Sequence, residues 1–124
     1  MLGVNKVIAL IFEKKSTRTR LSFDVAIRQL GGTSIVLDTS GIHLGSGNES
    51  LSDTAKTMSL YVDALVLRVN DHNSIIEMAK NSSIPVINGL SNISHPCQVM
   101  AGLMTLVEER KTLENLNLVW MGPI

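Results

Sequence analysis

The chain of 124 residues has a single cysteine, Cys97, and aromatic side chains make up only 3% of it. One cysteine excludes an internal disulfide and favours a reducing compartment. The scarcity of aromatic rings argues against a stacking surface for nucleic-acid bases. Eleven basic residues balance eleven acidic ones, so a formal net charge of zero attracts neither nucleic acid nor an anionic membrane. Any bound anion must therefore be held by a local group of side chains.

Long apolar runs are also missing, and none approaches the roughly 18 residues of a membrane-spanning helix. The N-terminus has neither the apolar stretch of a secretory signal nor an Arg-rich, Ser-rich transit composition. GSGNES lacks the third glycine of the dinucleotide fingerprint, and no GxxxxGK[ST] occurs. The three histidines and Cys97 do not have zinc-ligand spacing. These absences argue against a dinucleotide site, a P-loop and a zinc site, and we expect a cytoplasmic protein.

The residues that are present alternate between two kinds of periodicity. Apolar residues make up 44% of the chain and charged ones 18%, as in ordinary globular domains. Short apolar runs predict strands at 4–12, 34–38, 63–69, 84–88 and 117–121, and helical spacing predicts helices at 17–30, 51–61, 73–80 and 95–111. This alternation predicts an α/β fold, a parallel sheet of four to five strands with helices on both faces. We expect one domain over residues 1–124.

A cluster of hydroxyl and guanidinium side chains, STRTR, follows the first predicted strand. Ser16, Thr17, Arg18 and Thr19 stand where a helix begins, so unpaired backbone N–H groups and the helix dipole point to one spot. The hydroxyls add neutral donors, and Arg18 adds a planar fork that fits phosphate oxygens. The pattern predicts a phosphate site. A serine N-cap followed by solvated basic residues is the alternative.

Two further polar groups follow predicted strands at the same edge of the sheet. Arg68 ends the strand ALVLR, and HPCQ opens the last predicted helix. His95 can donate a hydrogen bond or act as a general acid near neutral pH, and Gln98 offers an amide donor and acceptor. The alternatives are a surface ion pair for Arg68, a helix cap for His95 and a solvated Gln98. His72 is expected to be a solvated loop residue.

These segments carry a resemblance to a known family. FEKKSTRTRLSFDVAIRQLGG, IHLGSGNESLSDTAKT and IPVINGLSNISHPCQ resemble the carbamoyl-phosphate domain of the ornithine carbamoyltransferases, over nearly the whole chain. Aspartate carbamoyltransferases share close versions of STRTR and of HPxQ, and HPCQ, INGL and IHLG favour the ornithine enzyme. The resemblance implies transfer of a carbamoyl group from carbamoyl phosphate to the δ-amine of ornithine, giving citrulline and phosphate, without a metal or organic cofactor. That reaction is a step of arginine biosynthesis and of the urea cycle.

The resemblance also implies a role for each site residue. It implies that the phosphate is held by Ser16, Thr17, Arg18 and Thr19, and that Arg68 bridges the phosphate and the carbonyl oxygen. His95 and Thr19 would polarise the carbonyl. Gln98 would hold the carbamoyl amide, and Leu90 would offer a backbone contact to ornithine. The catalytic residues would be Arg68, His95 and Thr19. In the family the loop that carries His43 reaches the site of a neighbouring subunit, which implies a homotrimer.

The chain departs from the family at both ends. It begins near the family's first strand, without the preceding helical segment, and ends at WMGPI, before the ornithine-binding domain with its SMG and HCLP motifs. We therefore expect this chain to be the carbamoyl-phosphate half of the enzyme and to be inactive by itself. The alternatives are an aspartate carbamoyltransferase domain and a truncated, non-catalytic module for anion binding or oligomerisation.

Overall fold

The computed structural model describes residues 2–39 and 50–123, in which strands and helices alternate. The elements are β1 Val7–Phe12, α1 Thr17–Gln29, β2 Thr33–Asp38, α2 Leu51–Tyr61, β3 Ala64–Arg68, α3 His72–Asn81, β4 Val86–Leu90 and α4 Pro96–Arg110. The predicted α/β fold is confirmed. Within the described ranges, no helix is long and apolar enough to span a bilayer.

The four strands form one parallel sheet in the order β2-β1-β3-β4. The chain steps from β1 to β2 in one direction, and from β2 through β3 to β4 in the other. Because such crossovers are right-handed, α1 lies on one face of the sheet while α2 and α3 lie on the opposite face. The direction reverses between β1 and β3, and ligands of such sheets bind at this point, beyond the carboxyl ends of the strands.

The main core lies between the sheet and the pair α2 and α3. Alternate residues of the two central strands point into it, as the period of two in a strand requires. Its buried members are Ala9, Ile11, Leu51, Ala55, Leu65, Leu67, Val69, Ile75 and Met78. Burying a side chain of the Leu, Ile or Met type stabilises a fold by about 1.5–3 kcal/mol, so this layer is the main source of stability for the sheet.

A hydrogen-bonded carboxylate fastens α1 to the neighbouring strand β2. The Ser34 hydroxyl donates to Asp24, and Arg28 Nε donates to Asp24 Oδ1 at 2.8 Å. The pKa of Asp24 is lowered, first by the Ser34 hydrogen bond and then by the Arg28 guanidinium. The helix ends at Gln29, and Gly31, two residues later, has a φ of 89° that glycine adopts without strain. Both features hold α1, and hence the STRTR segment at its start, in place against the sheet.

The predicted fifth strand at 117–121 is wrong. These residues have no regular secondary structure, and Leu118, Val119, Trp120 and Met121 are 68%, 87%, 77% and 89% exposed. A strand is stable only when a neighbour pairs with its backbone and a face is covered. The apolar pattern is present at this position, but among the described residues no strand pairs with it.

Other strand boundaries differ from the predictions by a few residues. β1 begins at Val7 rather than residue 4, because Asn5 has a φ of 61° that a strand does not accommodate. β4 begins after Pro85, which has no N–H to donate, and continues to Leu90. The prediction that His72 is a solvated loop residue is also wrong. It is the first residue of α3, half-buried, with Nδ1 2.8 Å from Ser91 Oγ.

Candidate functional site

A cleft of about 550 Å³ opens at the carboxyl ends of the central strands. The predicted site residues that line it are Ser16, Arg18, Thr19, Arg68, Leu90, His95 and Gln98. Thr17 lines a neighbouring hollow instead. His43 lies outside the described residues. Side chains from three loops, far apart in sequence, are therefore brought to one place.

The start of α1 supplies the floor of the cleft. Ser16 is the N-cap, yet its side chain does not cap the helix and donates to Thr19 Oγ1 at 2.9 Å. The first helical bond runs from the Arg20 N–H to the Ser16 carbonyl, at 2.9 Å. The N–H groups of the residues between them, 17–19, therefore have no intrahelical acceptor. With no acidic residue in the first turn, this positive helix end remains available to an anion.

Thr19 joins α1 to the end of β3. Arg68 Nη1 donates to Thr19 Oγ1, which also accepts the Ser16 hydroxyl. A threonine hydroxyl has two lone pairs and one hydrogen. Because both lone pairs are occupied, the Thr19 hydrogen is left to donate to a ligand. The Arg68 guanidinium reaches the same spot from the opposite wall of the cleft.

A β-bulge brings Leu90 beside Arg68. Leu67 pairs with Asn88, but Arg68 pairs with Leu90, so Gly89 is an extra residue in β4. A Cβ atom at Gly89 would lie 3.2 Å from the Leu67 carbonyl oxygen, so the close approach of the strands favours glycine. Bulges of this kind often redirect side chains next to active sites. The Leu90 carbonyl accepts the Val69 N–H at 3.0 Å and retains one lone pair.

The start of α4 supplies the second helix end. His95 is the N-cap without a side-chain cap bond, Pro96 follows in the first turn, and Cys97 Sγ contacts the Asn88 carbonyl at 3.4 Å. His95 Nδ1 is buried and has no hydrogen-bond partner within the described part of the chain. A buried polar atom of this kind is costly unless a ligand or water satisfies it. Gln98 is exposed at the rim.

The two helices on the other face of the sheet begin differently. The Ser50 side chain accepts the Asp53 N–H at the start of α2, and the Asp71 side chain accepts the Asn73 N–H at the start of α3. The N-termini of α2 and α3 are therefore capped by side chains of the chain itself. The helix ends that lack a side-chain cap are those of α1 and α4, the two that line the cleft.

The charge around the cleft is positive. Among the described side chains the ion pairs are Lys6–Asp63 and Arg28–Asp24, so neither Arg18 nor Arg68 is paired with a carboxylate there. Two unneutralised guanidinium groups and two helix N-termini favour a dianion over a neutral or cationic ligand.

Two polar residues at the site were not singled out from the sequence. Glu13 follows β1 directly, accepts the Asn70 N–H at 2.8 Å and donates its own N–H to the Arg68 carbonyl at 2.9 Å. It ties the ends of the central strands together. Asn88 donates to Ser94 Oγ at 3.0 Å, just before His95. The sequence did contain a signal for each of them: Glu13 is an acidic residue directly after a strand, and Asn88 is an amide within an apolar strand.

A second hollow, of about 750 Å³, lies on the other side of the start of α1. Lys14, Lys15, Arg20 and Leu21 line it, and it shares only Ser16 with the cleft. It contains none of the Arg68, His95 and Gln98 side chains, and its basic residues come from a single stretch of the chain that also contributes Glu13 and Asp24 to the lining.

Comparison with known proteins identifies the family of the chain. The family described as aspartate/ornithine carbamoyltransferase, carbamoyl-P binding domain, matches residues 2–108. The ornithine carbamoyltransferase of Rhizorhabdus wittichii is 51% identical over 115 residues, which are 93% of this chain and 37% of that protein. That of Methanococcus vannielii is 52% identical over 118 residues, 95% of this chain and 38% of that protein.

Solved structures agree in fold. The ornithine carbamoyltransferase from Pyrococcus furiosus has a TM-score of 0.85 and 48% identity, covering 90% of this chain and 35% of that one. The chain therefore spans little more than a third of the length of these relatives. With the family match over residues 2–108 and identities near one half, the chain belongs to the aspartate/ornithine carbamoyltransferase family and corresponds to its carbamoyl-phosphate-binding domain.

Proposed function

We propose that the cleft binds carbamoyl phosphate and forms that half of an ornithine carbamoyltransferase active site. The observation that carries the proposal is the convergence on one cleft of two uncapped helix N-termini with the guanidinium groups of Arg18 and Arg68. A phosphate dianion is the ligand that such a set of donors favours. The names of the family and of the relatives are the reason for proposing carbamoyl phosphate as this ligand and ornithine as the acceptor.

The phosphate lies, in this proposal, at the start of α1. The N–H groups of residues 17–19 donate to its oxygens, and Arg18 adds a bidentate fork. Ser16 contributes through Thr19, because the hydrogen that it donates to Thr19 Oγ1 leaves the Thr19 hydrogen free for the ligand. Thr17 takes part through its backbone, because its side chain lines the neighbouring hollow. Arg68 bridges a phosphate oxygen and the carbonyl oxygen.

The carbamoyl group lies toward α4. The Thr19 hydroxyl, Arg68 and His95 donate to the carbonyl oxygen, while Gln98 accepts from the carbamoyl amide. As the δ-amine of ornithine attacks the carbonyl carbon, a C–N bond forms, the C–O bond to phosphate breaks and the proton of the amine passes to the leaving phosphate. Negative charge grows on the carbonyl oxygen and then on the leaving phosphate, which the fixed donors stabilise. Each such donor contributes on the order of 3–4 kcal/mol to lowering a barrier.

The acceptor side of the reaction needs more than this chain. The Leu90 carbonyl is the contact that we propose for ornithine, and the rest of its site belongs to the portion of the relatives that the chain does not span. We further propose a homotrimer, in which His43 reaches the phosphate site of the neighbouring subunit. The single cysteine supports a reducing, cytoplasmic setting.

Recognition of the carbamoyl amide provides the test of the proposed function. Acetyl phosphate has a methyl group in place of the amide nitrogen, so it should bind more weakly than carbamoyl phosphate in calorimetric titrations. Gln98→Leu removes the amide partner and should reduce that difference by about tenfold, as expected for one or two hydrogen bonds. Gln29→Leu, at the exposed end of α1, is the matched control and should leave it unchanged. Equal affinities for the two ligands in the unmodified chain would contradict carbamoyl recognition.

A further inference from the structure

The loops that follow β3 and β4 are tied together outside the cleft. The Asn92 N–H donates to the Asn70 carbonyl at 3.0 Å, and the His72 N–H donates to Asn92 Oδ1 at 3.1 Å. A third contact joins side chains, His72 Nδ1 and Ser91 Oγ, at 2.8 Å. One loop leaves Arg68 and the other leads to His95, so these bonds connect the two walls of the site.

Ser91 is the centre of this connection. Its side chain is buried, and its Oγ accepts the N–H groups of Ile93 at 3.3 Å and Ser94 at 3.2 Å. Two acceptor bonds occupy both lone pairs of a hydroxyl, so its hydrogen must be donated. The His72 Nδ1 acceptor lies at 2.8 Å and the Ser94 carbonyl at 3.4 Å. The shorter distance favours donation to His72 Nδ1, which places the ring proton on Nε2.

The turn 91–94 adjoins two site residues. Leu90 precedes it and His95 follows it, and the Ser91 N–H closes it by donating to the Ser94 carbonyl at 3.0 Å. Ser94 Oγ also accepts from Asn88. The position of the His95 ring thus depends on a turn whose central hydroxyl is oriented by His72.

We propose that His72 is a positioning residue, which acts through Ser91 to hold the turn 91–94 and so to place His95 against the carbamoyl group. This rests on the proposed function of the cleft. His72 does not line the cleft, and most of the proposed phosphate donors, the N–H groups of residues 17–19 and the Arg18 side chain, lie on α1. Its loss should therefore weaken recognition of the carbamoyl group and leave phosphate binding unchanged.

Calorimetry with two ligands, carbamoyl phosphate and inorganic phosphate, separates these effects. In His72→Phe the affinity for carbamoyl phosphate should fall by about tenfold, as expected when one hydrogen bond and its geometry are lost. The affinity for inorganic phosphate should change by less than about twofold, because substitutions far from a site usually alter its free energy of binding very little. His72→Asn keeps an acceptor near the place of Nδ1 and should restore most of the loss. Asn73→Ala, at the next and exposed position, is the control.

The outcomes are distinguishable. No carbamoyl phosphate binding by the unmodified chain would defeat the proposed function itself. Unchanged carbamoyl phosphate affinity in His72→Phe, or an equal loss for both ligands, would overturn only the role of His72. The ring tautomer gives an independent test that needs no variant: nitrogen NMR of the unmodified chain should show His72 protonated on Nε2. A proton on Nδ1 at neutral pH would overturn the proposal even if His72→Phe fails to fold.

Discussion

Arg18→Ala should abolish carbamoyl phosphate binding while leaving the fold intact. The Arg18 side chain is exposed, lines the cleft and is absent from the ion pairs of the described side chains, so its removal leaves no carboxylate unpaired. Hydrogen bonds to charged groups contribute about 1.5–3 kcal/mol each. A bidentate fork makes two, so the affinity should fall by more than about 100-fold.

The matched control for this change is Arg20→Ala. Arg20 lies two residues further along α1, is also exposed and lines the second hollow rather than the cleft. Removal of the same charge from the same helix should change the affinity by only a small factor, because exposed charges are screened by salt. Calorimetric titration gives both affinities, and circular dichroism checks the fold. An equal loss of affinity in the two variants would mean that Arg18 contributes only its net charge. An unchanged affinity in Arg18→Ala would mean that Arg18 is not part of the site.

The isolated chain should not make citrulline at a useful rate, although it should bind carbamoyl phosphate. Holding both reactants in a near-attack geometry contributes about 7–11 kcal/mol to lowering a barrier. The cleft offers ornithine one proposed contact, the Leu90 carbonyl, while the relatives named ornithine carbamoyltransferase are about two and a half times as long. Nothing in the described residues clamps the carboxylate and α-amine of ornithine or closes over the cleft to exclude water.

The assay follows citrulline after the purified chain is mixed with carbamoyl phosphate and ornithine. A full-length ornithine carbamoyltransferase in the same buffer is the positive control, and aspartate in place of ornithine tests the sister reaction. The expected rate for the chain is that of the uncatalysed mixture. Turnover in the ordinary enzyme range of about 1–1,000 per second would show that an acceptor site is complete and would contradict the account.

The sequence predicts the elements whose signals are local. The helix at 51–61 has the predicted bounds because the Ser50 cap and the pattern that follows it are contained in the segment. The grouping of STRTR, Arg68 and HPCQ was also predictable, since parallel strands bring their carboxyl ends to one edge of the sheet. In the first case a local signal decides the outcome, and in the second the topology of the parallel sheet does.

What the sequence could not predict depends on partners far along the chain. Residues 117–121 have the composition of a strand, but pairing with another strand decides whether one forms. No motif marks His72 in the sequence, and the role that we propose for it depends on its contact with the hydroxyl of Ser91, 19 residues away. The orphaned Nδ1 of His95 depends likewise on what packs around the ring in three dimensions.

The most direct test of the central claim is an NMR titration of the chain, labelled with nitrogen-15, with carbamoyl phosphate. The claim is that the cleft between the starts of α1 and α4 binds this ligand. Saturable shifts should appear at the amides of residues 17–19, at the Arg68 guanidinium and at Gln98. The amides of Leu21 and Val36, which line the second hollow, should move little. Shifts confined to that hollow, or none at millimolar ligand, would contradict the account.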